Sequence, residues 1–66
     1  MPYQRNADLP ASVRSGLPRD AQTIYRKTFN SADEQYEEEA RARRVAWAAV
    51  KKKYRKNASG RWVLRH

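Results

Sequence analysis

Between Pro18 and Gly60 the chain contains neither proline nor glycine, and its apolar residues recur at steps of three and four. That spacing is the repeat of an α-helix with one buried face, so most of the chain must be helical. Ala21, Ile24, Tyr25, Phe29, Ala32 and Tyr36 share one face, with Arg19, Arg26, Lys27 and Asp33 largely outside it. The pattern predicts a helix over residues 18 to 36. A further helix is expected over residues 38 to 56. There Ala46, Trp47, Val50 and Tyr54 cluster on one side, while Arg41, Arg44, Lys51, Lys52 and Arg55 fall mostly on the other. Glu37 with Arg41 and Glu39 with Arg43 stand four apart in the favourable order, each pair worth a few tenths of a kcal/mol. Acid at the start of this helix and Lys/Arg at its end suit the macrodipole.

The two patterns are nearly in phase through Tyr36 and Ala40, which leaves two outcomes. A single rod over both segments would be about 60 Å long at ~1.5 Å per residue and could not close a core by itself. The expected outcome is a bend near residues 36 to 40. The competing one is a continuous helix that dimerises along its apolar side.

At the N-terminal end, "ADLPASVRSGLPRDAQ" is punctuated like the start of two helices. Asp8 can cap the first, Pro10 suits its opening turn, and Gly16 can end it in the left-handed conformation. Leu9, Val13 and Leu17, at four-residue spacing, would share its buried side. Pro18 fits the first turn of the next helix, with Asp20 near its positive end. At the other end, "ASG" at 58 to 60 signals a turn. "RWVLRH" beyond it reads as a short strand or a folded-back tail, and "MPY" at the start is a candidate strand partner. The fold class is therefore mainly α. Residues 1 to 66 form one small three-helix domain, with a minor two-stranded β element joining the termini as an option.

A chain of 66 residues buries only about 60% of its unfolded surface, so its core is marginal. Two Trp and four Tyr contribute large areas to it. The candidate core comprises Leu9, Val13, Leu17, Ile24, Tyr25, Phe29, Tyr36, Val45, Trp47, Val50, Tyr54, Trp62, Val63 and Leu64. With Trp47 in that core, its truncation to Ala would cost about 3–5 kcal/mol. The absence of cysteine excludes disulfides and thiolate metal sites. No apolar run approaches the roughly 20 residues that span a bilayer, and the N-terminus lacks an apolar leader region. A cytoplasmic location is expected.

Charge is divided unevenly. Residues 1 to 39 carry five basic and seven acidic side chains, while residues 40 to 66 carry ten basic and none acidic, so a net +8 conceals halves of −2 and +10. Such asymmetry fits a surface that meets something anionic, and it also fits plain solubility.

The same residues resemble the ChaB family, named for the regulation of cation transport. The matching pieces are "MPY", "DLP" at 8 to 10, "LP" at 17 to 18, "AQTIYRKTFNSADEQY" at 21 to 36, "VAWAAVKKKY" at 45 to 54, and Trp62 after a glycine-containing turn. The resemblance implies a small, mostly helical domain associated with a sodium/calcium–proton antiporter, and it brings no catalytic residues. The connection between Tyr36 and Val45 is short and Glu-rich where some relatives carry a longer charged insertion. The C-terminal end is also more basic than in relatives of mixed charge.

Catalytic chemistry finds no scaffold. The only histidine is His66, the last residue, and two glycines cannot build a phosphate-cradling loop. Asp33, Glu34, Glu37, Glu38 and Glu39 are hard oxygen ligands, but they lack the spacing and glycine of a calcium loop. They read as a solvated helix end, and no metal or other cofactor is expected. Binding is the remaining chemistry. Arg41, Arg44, Lys51, Lys52 and Arg55 would form a stripe about 20 Å long on a helix rising ~1.5 Å per residue, with Arg61 and Arg65 extending it. The stripe would suit an acidic protein partner, which the resemblance implies is a transporter-associated protein, or the phosphates of a nucleic acid, or anionic lipid at about 1 kcal/mol per basic residue. Trp47 and Tyr54 are expected in the core rather than as stacking platforms for bases.

Overall fold

The computed structural model describes residues 3–65, so Met1, Pro2 and His66 lie outside the described residues. A 3₁₀ turn at Asn6–Asp8 leads into α1 (Ala11–Arg14), α2 (Arg19–Tyr36) and α3 (Glu39–Lys53). The strands β1 (Tyr54–Lys56) and β2 (Trp62–Leu64) follow. The helices α2 and α3 lie against each other, and the molecule measures 35 × 21 × 16 Å. A rod of about 60 Å at ~1.5 Å per residue is therefore not what forms.

The expected bend falls at two residues. Glu37 adopts the left-handed conformation (φ 55°) while its N–H still reaches the Asp33 carbonyl at 2.9 Å. Glu38 is extended, and its carbonyl accepts the Ala42 N–H at 3.0 Å. No glycine assists this reversal. Turning back covers the apolar faces of both helices within one chain, and that burial outweighs the roughly 1–2 kcal/mol that a left-handed residue with a Cβ costs. Glu39 then stands in the first turn of α3 and Lys51, Lys52 and Lys53 in its last, the order the macrodipole favours.

The core sets small residues on one helix beside large ones on the other. Ala42, Ala46 and Val50, at steps of four on α3, are completely buried, and Ala21, Tyr25, Phe29 and Ala32 of α2 are buried with them. Leu9, Val13 and Leu17 close the same cluster from the N-terminal side, as their spacing predicts. Ile24, Val45, Trp47 and Trp62 are only partly buried against it, and Tyr36 and Leu64 are exposed. The expected core was thus too generous at its margins.

Several local expectations are corrected. Asp8 does not cap α1. It accepts the Arg5 side-chain N–H at 3.3 Å and the Arg5 backbone N–H at 3.2 Å. That guanidinium bond holds the Asp8 carboxyl below its ordinary value. Gly16 is not left-handed, and only Gly60 among the glycines has positive φ. The end of α1 is secured instead by Gln22, whose amide donates to the carbonyls of Arg14 and Leu17. Helix α3 stops at Lys53, short of the expected residue 56. Tyr54 keeps its buried place as the first residue of β1.

The β element is a local hairpin, with Tyr54 opposite Leu64 and Lys56 opposite Trp62. It does not join the termini. Asn57 builds its turn by accepting the Ser59 and Arg61 N–H groups on Oδ1. Of the proposed "MPY" partner, Met1 and Pro2 fall outside the described residues. Tyr3 exchanges two 2.8 Å hydrogen bonds with the side chain of Asn30 and sets its ring 5.0 Å from Phe29. Asn6 and Arg26 bond at 2.9 Å, tying the same arm to α2.

Phe29→Ala empties a sealed site and should lower stability by about 3–5 kcal/mol in chemical denaturation. Trp47→Ala, at a partly open site, should cost clearly less than the full value expected of a core tryptophan. Glu37→Gly relieves the left-handed residue and should raise the denaturation midpoint, by about 0.5–1 kcal/mol in stability.

Candidate functional site

Because Ala42, Ala46 and Val50, flanked by Val45 and Trp47, seat α3 on α2, the opposite side of α3 has no apolar duty. It carries Arg41, Arg44, Lys51 and Lys52, all exposed. Among the described residues there are two ion pairs, Arg5–Asp8 and Arg43–Glu39, both at 3.3 Å. The stripe on α3 therefore meets no carboxylate of the described chain. The Glu39–Arg43 pair is the one its spacing predicts. The expected Glu37–Arg41 pair does not form, because Glu37 has left the helix. Arg41 instead lies over the Tyr36 ring, 4.4 Å from its centroid, an exposed cation–π contact worth about 0.5–1 kcal/mol.

The predicted basic residues are not all one surface. Arg44 and Lys51 line an open groove with Ala40, Arg43, Trp47 and Ala48. Arg41 and Lys52 share the helix but not that groove. Arg55 has left the helical repeat and stands in β1, opposite Val63. Arg61 lines a separate groove beside Gly16, Leu17, Pro18 and Trp62. Arg65 does not extend the stripe freely. Its Nε donates to the Lys51 carbonyl at 2.7 Å and its backbone N–H to the Lys53 carbonyl at 2.8 Å. Arg65 thus serves the carbonyl end of α3, where a cation also suits the helix dipole.

Trp47 occupies the border between core and stripe. Tyr25 meets it in a T-shaped contact at 5.2 Å, and Trp62 lies 5.7 Å away at 33°. The indole is held from behind by an element on either side and remains partly open towards the groove. Two features of this site were not anticipated. One is Arg43, which stands four residues before Trp47 and so shares its helical phase. The other is the space left by Ala40 and Ala48. Among the described residues no three His, Cys, Asp or Glu side chains come together as metal ligands, and no helix is long and apolar enough to cross a membrane.

The sequence profile of the ChaB family matches residues 9–65. The chain belongs to the ChaB family. It is 44% identical over 72 residues to "Putative cation transport regulator ChaB" of Escherichia coli strain K12, covering 94% of this chain and 95% of that protein. The protein of the same description from Shigella flexneri matches to the same extent. Among solved structures, the "NMR solution structure of the putative cation transport regulator ChaB" superposes with a TM-score of 0.88 at 41% identity, covering 98% of this chain and all of that one. The three helices and terminal hairpin are thus a ChaB fold.

Tyr25, which backs Trp47 in this ChaB domain, has its phenol pushed above the ordinary tyrosine value of 10.0 by burial, with the nearby Tyr3 adding in the same direction. A raised folded-state value means that its contribution to stability is complete below the unfolded value and is lost as pH rises through the folded one. Denaturation midpoints should therefore hold up to about pH 10, the ordinary tyrosine value, and fall above it. In Tyr25→Phe that alkaline fall should be shallower.

Proposed function

We propose that this chain is a non-enzymatic regulator of cation transport that acts in the cytoplasm by binding an acidic partner through the basic back of α3. The partner is a transporter-associated protein or the transporter itself, with a sodium/calcium–proton antiporter as the specific candidate. One observation carries the reading. Arg44, Lys51 and Lys52 are exposed together on a rigid helix with no carboxylate of the described chain beside them. Like charges held in a row repel one another, and an acidic surface relieves that repulsion while accelerating encounter. The description that the relatives carry supplies the regulatory role. Arg41, Arg55 and Arg61 belong to the same proposal as flanking contacts.

A second reading draws on the same groove. Arg44 and Lys51 flank a partly open Trp47, a combination that also serves phosphates and bases in sequence-nonspecific nucleic-acid binding.

The combined substitution Arg44→Glu and Lys52→Glu separates binding from folding, since both positions are exposed. Tagged chain captured on membranes that contain the antiporter should retain it, and the double reversal should lose it with an unchanged helical circular dichroism spectrum. Retention by the double reversal would remove the stripe as the contact. Anisotropy titration with a labelled random DNA duplex decides the second reading. Tight binding whose log K falls steeply with log salt, by about 0.9 per phosphate contact, would put nucleic acid first.

A further inference from the structure

The outer face of α3 is not uniformly charged. Ala40 and Ala48 are eight residues apart, just over two turns, and leave a depression that Trp47 borders and that Arg43, Arg44 and Lys51 rim. Tyr25 and Trp62 fix the indole from behind. A ring immobilised before binding loses little conformational freedom on contact, which is the character of residues that carry most of an interface's energy. The three cations around it are two guanidiniums and one ammonium. Arg43 alone is engaged, with Glu39, and both partners of that pair are largely exposed, so the pair is weak and exchangeable.

We infer that this groove is a docking site for an acidic peptide segment that carries a single aliphatic side chain among its carboxylates. The aliphatic group lies against Trp47 in the space that the small Ala40 and Ala48 leave on either side of Arg44, and the flanking carboxylates meet Arg44, Lys51 and Arg43. This rests on the reading of the back of α3 as the partner-binding face, and it names the chemistry of the occupant. Charge complementarity selects that occupant, because the lining residues include three cations and no acid. Guanidiniums suit carboxylates through paired hydrogen bonds. A stacked nucleobase fits less well: Tyr25 and Trp62 already pack on the indole, and alanines offer no second platform.

The test uses two labelled, end-blocked heptapeptides of glutamate, one with a central leucine and one with a central alanine. Their affinities are measured by anisotropy for the unaltered chain and for Ala48→Arg. Position 48 is exposed, and arginine is a good helix former, so the variant keeps the fold while filling the depression and adding a positive charge. The leucine peptide should bind the unaltered chain about fivefold or more tighter than the alanine peptide, as partial burial of a leucine side chain implies. Ala48→Arg should abolish that preference without weakening the alanine peptide. Equal affinities for the unaltered chain would overturn the groove and leave the electrostatic reading of α3 standing. A leucine preference that survives Ala48→Arg would place the anchor elsewhere and overturn the groove as well. No binding of either peptide at low salt would overturn both. A labelled single-stranded oligonucleotide that loses affinity in Ala48→Arg, with no leucine preference among the peptides, would give the groove to a base instead.

Discussion

The rings of Tyr25 and Phe29 on α2 share a sealed core with the stripe of Ala42, Ala46 and Val50 on α3, and the rest of the molecule depends on that contact. Small side chains allow two helices to approach closely, and large rings fill the space between them at native density. The arrangement divides the work unequally. Helix α2 supplies the buried area, and α3 supplies a thin, smooth edge. A helix that seats itself with alanines can give its remaining circumference to charge, so the basic stripe of α3 follows from the economy of the core.

So small a core leaves two open flanks, and each is closed by a terminal segment. The N-terminal arm lies across α2 through Tyr3, Asn30 and the Asn6–Arg26 bond. The hairpin folds back at the other end and brings Trp62 against Trp47. Arg65 then returns to the carbonyls of Lys51 and Lys53, fastening the tail to the helix it has just left. The groove beside Trp47 depends partly on this tail, since Trp47 packs against a residue that arrives after the hairpin turn.

How much of this could be read from the chain depends on the range of the signal. The helix over 18 to 36 and the Glu39–Arg43 pair follow from spacing, the bend follows from the inability of so long a rod to close a core by itself, and the structure has all three. The hairpin register was hidden because Tyr54 is in phase with the apolar side of α3 and so reads as helix. The fastening roles of Gln22, Arg26 and Arg65 had no periodic signature, because each side chain donates to an oxygen outside its own helical repeat. Glu37 misled in the opposite way, forming a good i,i+4 pattern with Arg41 that its left-handed backbone cancels. Of the site, the exposed cations of α3 were legible. The groove was not, because it requires Trp47 to stay half open, and that is decided by Trp62 and the two alanines together.

Five of the seven acidic residues lie between Asp33 and Glu39, whereas seven basic ones lie between Lys51 and Arg65. The reversal at Glu37 and Glu38 makes α2 and α3 antiparallel, which carries these two groups to opposite ends of a body 35 Å long. The domain therefore has a permanent electric moment along its long axis. Near any anionic surface it is turned before it touches, hairpin end first, with the Glu-rich bend held away. Rotational search is shortened, and the end of α3 that bears Lys51 and Lys52 leads the approach.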